Sequence, residues 1–328
     1  MHKRLVNHCT IDFSIIPVGP ILIKSGKEGA NPTKPNMEFV ETYHAGGRSV
    51  YVPGSSLKGA IRAHAERIVR TVGSDKRPIS DPKSDKFELW ADDPLKNENY
   101  EYLKKLVPAE IYKQSSFTDQ IFGNTNIASR LRIQDAYPDA TKPLRIEERN
   151  GVAIDRVFGS AVRGALFNYE VCTSGDFRTK IHLKNFSLAQ LGLIGLVLRD
   201  LNDGWFGIGF AKSRGMGTVK LQYHSAVVQY PGCELRGDKI YAIGKELNWP
   251  NTYLLGAGAF LQGKEENPYK FPIDDKHDTA ITAEKMSYGF GVQLAWKEDD
   301  ERNEGRVPDL FARAVEQWRE LLPKGVGA

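Results

Sequence analysis

The chain has little that would support redox, metal-thiolate or secretory chemistry. Among its 328 residues there are three cysteines, Cys9, Cys172 and Cys233. They are widely separated, which gives no metal-ligand spacing, and an odd number excludes an even disulfide framework. A reducing cytoplasm is the expected location. The most apolar stretch, Leu188–Leu198, falls short of the roughly 20 residues that a membrane-spanning helix needs. The first residues, MHKRLVNHCTIDFSII, are too mixed in polarity for a secretory signal. The phosphate-cradling consensus GxxxxGK[ST] is missing. There is no internal repeat and no long low-complexity tract. Charge is also slight: a net +4 permits a polyanionic partner but does not require one, since clustering matters more than the total.

What the chain does have is two runs rich in glycine, hydroxyls and cations. The first is Tyr51–Arg62, YVPGSSLKGAIR. Pro53–Gly54 ends a strand, and Ser55 or Ser56 is placed to cap the helix that follows. Lys58 and Arg62 lie one turn apart beside that helix N-terminus, an arrangement suited to anions. The second run is Gly204–Gly217, GWFGIGFAKSRGMG, in which glycines surround Lys212, Ser213 and Arg214. Two such runs far apart in sequence suggest a polymer of phosphates rather than one nucleotide.

Periodicity orders the rest. Val6–Ile16 alternates as a strand, and Ile21–Gly47 reads as an irregular excursion. Arg48–Val52 is a short strand, followed by a helix over Ser56–Val72. That helix has an apolar stripe through Leu57, Ile61, Ala65 and Val69 and a basic face of Lys58, Arg62, Arg67 and Arg70. His64 sits on the stripe as a core histidine. Gly73–Ser116 is charged and broken by prolines, with a helical piece near Asn99–Leu106, and reads as a surface insertion. Ala128–Ala136 is a strand. Tyr137–Gly164, with Arg145, Arg149, Arg156 and Arg163, is a projecting hairpin. Ala165–Leu183 is strand-like. A buried helix, Leu188–Leu201, capped by Asn185 or Ser187, leads through the glycine loop to a strand at Thr218–Tyr223. The order strand, helix, strand, strand, helix, strand defines an α+β, ferredoxin-like (RRM-like) core. Residues 1–229 form that core with its hairpin and insertion. Residues 230–328 form a C-terminal extension, with the charge run Lys297–Glu304 and an amphipathic helix Asp309–Leu322 that includes Trp318.

These motifs resemble the RAMP superfamily of CRISPR proteins. YVPGSSLKGAIR is similar to its strand-to-helix motif, and GIGFAKSRGMGTVKL to its C-terminal glycine-rich loop and last strand. SRLRIQDAYP and Ile154–Arg156 (IDR) resemble the backbone subunit of type III effector complexes. The insertion and tail fit a variant such as subtype III-D. The resemblance implies a guide (crRNA)-binding subunit, with target RNA and other effector subunits as partners, no membrane, and no cofactor needed for binding. Ser55, Ser56, Lys58 and Arg62 would hold the guide backbone, beside Lys212, Ser213 and Arg214. Pro138–Gly164, with Arg156, would be a thumb that kinks the guide–target duplex. Target cleavage in the family depends on an aspartate in the preceding loop and a divalent cation, Mg2+ or Mn2+. Here that loop, Asn31–Gly47, has no aspartate; Asn36 falls at its position, with Glu38 and Glu41 nearby. An amide cannot act as an anionic ligand or a general base. The alternatives are a metal-dependent RAMP endoribonuclease using Glu38 or Glu41, a metal-independent processing enzyme using His44, and a ferredoxin-like RNA-binding module outside CRISPR.

Overall fold

Alternation dictates the first element. In His8–Pro17 (β1) the side chains of Cys9, Ile11, Phe13 and Ile15 enter the core, while His8, Thr10, Asp12 and Ser14 form the opposite face. The structure, a computed structural model, describes residues 4–26, 35–78, 89–261, 267–298 and 305–322. Residues 31–34 of the loop 31–47, residues 79–88 of the insertion and residues 299–304 of the charge run lie outside the described residues.

A hairpin of Glu41–His44 (β2) and Gly47–Val50 (β3) leads into the helix Gly54–Val72 (α1). Pro108–Gln114 (α2) and Phe117–Phe122 (α3) close the insertion. Leu131–Ile133 (β4) and Tyr137–Pro138 (β5) precede a long hairpin, Arg145–Ile154 (β6) and Ala161–Ser174 (β7). Phe177–Lys184 (β8), Leu188–Asn202 (α4) and Val219–Tyr230 (β9) follow. Past them come Cys233–Arg236 (β10), Lys239–Ala242 (β11), Asn248–Pro250 (β12), Tyr253–Leu255 (β13) and Lys276–Asp278 (β14). Glu284–Lys285 (β15), Val292–Lys297 (β16) and Val307–Glu320 (α5) complete the described order.

The central sheet runs β15-β16-β9-β1-β8-β4, and each pairing is antiparallel. Four of its strands, β9-β1-β8-β4, with α1 and α4 as crossovers, make the ferredoxin-like unit. The helices cover one face. α4 starts at a capping box: the Ser187 hydroxyl accepts from the Gln190 amide, and the Gln190 side chain accepts from the Ser187 amide. Its Leu191, Leu193, Ile194, Val197, Leu198 and Leu201 are all buried. Each such side chain contributes about 1.5–3 kcal/mol by leaving water. Past residue 230 the chain returns to this core. β16 pairs with β9, α5 packs on α4, and the Asp275 carboxylate accepts from Leu188 N at 2.8 Å and Gly258 N at 2.9 Å.

Three expectations need correction. Ile21–Ile23 is not an excursion. It is buried, and Ile21 exchanges both backbone hydrogen bonds with Cys172 of β7 at 2.9 and 2.8 Å. The insertion is more helical than its prolines suggested, because Tyr100, Leu103 and Tyr112 supply buried anchors. The basic face of α1 does not meet solvent throughout. Arg70 donates to the carbonyls of Ala91 and Asp92, and Arg62 turns inward as well. The three cysteines are buried, as apolar residues of the core. No helix among the described residues is long and apolar enough to cross a membrane.

Burial pushes the Asp275 carboxyl up to about 7, against the pull of its two amide donors. An unfolded aspartate titrates near 3.9. Between those values the folded protein holds a proton that the unfolded chain has shed. This contribution to stability is therefore full below pH ~4 and is lost as pH rises through about 7. Urea denaturation at pH 5 and pH 8 should show this loss, and Asp275→Asn should abolish this part of the pH dependence.

Candidate nucleic-acid interface

Residues 20–24 bring the scattered motifs to one edge of the sheet. Phe210 N of the glycine loop donates to Leu22 O, and Gly217 N donates to Pro20 O. On the other side Val40 N donates to Ile23 O, and Tyr51 N to Val40 O. Val52 and Ala136 then exchange both hydrogen bonds, at 2.9 and 2.8 Å. With the Ile21–Cys172 pair, this ladder joins the glycine loop, the base of the hairpin and the start of α1.

At the start of α1 the N-cap is Pro53, and neither serine caps it. Ser55 and Ser56 are already in the first turn, and both are exposed. The cap comes from outside: Gly54 N donates to Asp135 Oδ1 at 2.8 Å. The first amide is thus filled by a carboxylate, while the next two have no helical acceptor. Gly54 is needed because a Cβ there would run into the Ile133 carbonyl. Lys58 donates to Ser129 Oγ at 2.8 Å, a neutral partner. Partial burial, and then repulsion from Arg62, lower its pKa. An anion beside Lys58 would favour its charged form against both effects. Arg62 is committed elsewhere: it bonds Glu66 at 2.8 Å, the Gly123 carbonyl at 2.8 Å and Asp119 at 2.7 Å, and is 18% exposed. Phosphate contact was expected of Arg62; its ion pairs also make it an anchor of α3 on α1.

In the glycine loop Gly209 has φ +79°, and a Cβ there would strike the Leu22 carbonyl, so the turn and its close approach both require glycine. A short turn, Lys212–Arg214, exposes all three of its side chains. Arg214 lies over the Phe210 ring at 5.0 Å, and Lys24 lies over the same ring at 5.4 Å. Lys24 is exposed and was missed in the sequence, where it sits in a stretch that reads as irregular. His64 is a core histidine: Nε2 pairs with Asp200 at 2.8 Å and the ring stacks on Phe206 at 4.3 Å, while Nδ1 has no partner. It ties the loop's first residues to α1.

The hairpin β6–β7 stands apart from the central sheet and is longer than the sequence suggested, reaching Ser174. At its tip Asp155 Oδ1 accepts from Val157 N at 2.7 Å and Phe158 N at 2.9 Å. These amides hold its carboxyl below the usual range. Arg156 is exposed beside Val157 at 84% and Phe158 at 83% exposure. In the IDR motif the aspartate shapes the turn and the arginine projects from it.

In the loop where the family has its catalytic aspartate, the described side chains are engaged as follows. Asn36 is locked to Asn168, each amide donating to the other's side-chain oxygen at 2.9 and 3.2 Å. Glu41 faces Arg48 at 3.8 Å, and Glu38 accepts from Ser25 N through its backbone carbonyl. Among the described residues no three carboxylate, imidazole or thiol groups gather as a metal site requires. His44 lies flat on Tyr137 at 3.7 Å, with Tyr51 next to it, and forms part of an aromatic stack.

A ferredoxin-like core with a glycine-loop palm and a detached hairpin defines a class of RNA-binding protein. The model of the RAMP superfamily matches residues 15–220, from the end of β1 to the start of β9. The chain belongs to that superfamily and is a CRISPR-associated RNA-binding protein. No curated protein matches it.

Two glycines of α1 should behave oppositely. Gly54→Ala should lower stability by about 1–3 kcal/mol through overpacking against Ile133. Gly59→Ala, where nothing lies within 4 Å of the added Cβ, should raise stability by up to ~1 kcal/mol. Thermal unfolding of the two variants checks both signs.

Proposed function

We propose that this chain is a guide-RNA-binding backbone subunit of a type III CRISPR effector complex, in a variant such as subtype III-D, working in the cytoplasm. The observation that carries this reading is the hydrogen-bonded ladder through residues 20–24. It puts the glycine loop, the start of α1 and the base of a projecting hairpin into one unit. Lys24, Lys58, Lys212 and Arg214 supply cations for the guide's phosphates. Ser55, Ser56 and Ser213 supply hydroxyls for phosphate or ribose 2′-OH. None of these groups reads bases, which suits a protein whose guide sequence varies and whose specificity rests on base pairing. The hairpin is the thumb. Val157 and Phe158 form an apolar wedge of the kind that unstacks a base step and kinks a duplex. The insertion and the part after residue 230 contact neighbouring subunits. The role is holding and shaping RNA, and it needs no cofactor. Cleavage by Glu38 or Glu41 gains no support from their placement.

Expression with the genomic neighbours and a repeat–spacer array tests this. Short RNAs with a constant repeat-derived 5′ tag and variable spacers should co-purify; random cellular RNA would refute the guide-binding role. Lys24→Ala with Lys212→Ala and Arg214→Ala should weaken RNA binding without sequence preference and reduce its salt slope by about 2. In the assembled complex, Val157→Ala with Phe158→Ala should diminish the fluorescence of 2-aminopurine placed at the kinked step. Metal-dependent target cuts that vanish with Glu38→Ala or Glu41→Ala would favour the endoribonuclease instead.

A further inference from the structure

The face of the central sheet opposite the helices is polar and mostly positive, with Glu284 at its β15 edge held by Gln293. Arg132 of β4, Arg178, Lys180 and Lys184 of β8, and Lys220 of β9 all lie on it. On the four strands of the ferredoxin-like unit Asp12 is the one carboxylate among them. Asp12 accepts from Arg178 at 3.0 Å and from Lys180 at 3.2 Å. Burial alone would raise its carboxyl, but these two cations outweigh that and hold it low. Asp12 pairs with two of the five cations, and Asp139 and Asp176 act on Arg178 from further off. Arg132, Lys184 and Lys220 are exposed. On β8 Arg178 and Lys180 lie two residues apart, about 6.6 Å, and Lys184 lies four residues beyond, about 13 Å, on the same face. Between them lies a line of neutral polar groups. Thr10 Oγ1 meets His182 Nδ1 at 3.2 Å, and His182 Nε2 meets the Gln134 amide at 3.1 Å.

The edge of this face is aromatic. Tyr137 is the direct cross-strand partner of Arg178, so it shares the face. It is the middle ring of the stack with His44 at 3.7 Å and Tyr51 at 5.7 Å. Cations in a row beside stacked rings match single-stranded nucleic acid, whose bases offer π-faces and whose backbone offers regular negative charge. An acidic protein would satisfy the cations and leave the rings without a role.

We infer that the open face of the central sheet, with the His44–Tyr137–Tyr51 stack at its edge, is a second binding surface for single-stranded RNA. It is separate from the glycine-loop palm and does not rest on the guide-binding reading. The cations hold the backbone, and the stack receives a base at the end of the track.

The test uses the full chain, an unstructured oligouridine as probe, and fluorescence anisotropy across a salt series. Arg132→Ala, Lys184→Ala and Lys220→Ala are combined, which leaves the Asp12 ion triad intact. Circular dichroism checks that the variant is folded. The expected result is about tenfold weaker binding at low salt and a salt slope reduced by about 2. A second variant, Tyr137→Leu, should weaken binding while leaving the slope unchanged. The palm variant, Lys24→Ala with Lys212→Ala and Arg214→Ala, is measured alongside. Loss in the palm variant with no change in the folded sheet variant would overturn the sheet proposal and favour an acidic protein on this face. Loss in the sheet variant alone would uphold the sheet and refute the palm. No binding by the wild-type chain would refute both.

Discussion

The ladder through residues 20–24 is the constraint on which the rest depends. Ile21, Leu22 and Ile23 are buried, so their side chains fix the segment in the core. Their backbone groups are then held at set positions and must be satisfied. They are satisfied by three different parts of the chain: Phe210 of the glycine loop, Cys172 of β7, and Val40, which passes the pairing on to Tyr51, while Gly217 holds the adjoining Pro20 carbonyl. A short apolar stretch thereby sets the relative placement of loop, thumb and helix. Each of those parts would be an ordinary surface feature on its own.

Charge in this protein is sorted by whether a partner lies within reach. Arg62 and Arg70 on α1 find Glu66, Asp119 and insertion carbonyls, and they serve to dock the insertion. Arg178 and Lys180 share Asp12. Lys24 and Arg214 share the face of Phe210, and Lys212 stands exposed beside them. Cations held beside an aromatic ring keep their charge available to an anion. Basic residues with equal standing in the sequence thus divide into scaffold and surface.

The core elements were legible because their signals are local. The alternation in β1, the apolar stripe of α1 and the Ser187 cap of α4 each follow from a few neighbouring residues, and their order points to the ferredoxin-like unit. The two glycine runs stood out by residue type, and the fold brings them to one place through residues 20–24. The partners were not. The capping of α1 depends on Asp135, which is far away in sequence, and the fate of Arg62 depends on Asp119. The cations of the sheet face are spread over three strands, and β4 and β9 carry one each. Only their register puts Arg132, Lys180, Lys184 and Lys220 on one side.

The sequence by itself determined the core elements up to residue 230, their order, the two glycine runs and the position of the hairpin, because propensity, capping and periodicity act over a few residues. Tertiary structure decided which cations are neutralised, which amide of α1 is already filled, and where β16 and α5 go after residue 230. Those outcomes turn on hydrogen bonds and ion pairs between residues brought together only by folding, and their energies depend on distance and burial that no linear pattern records.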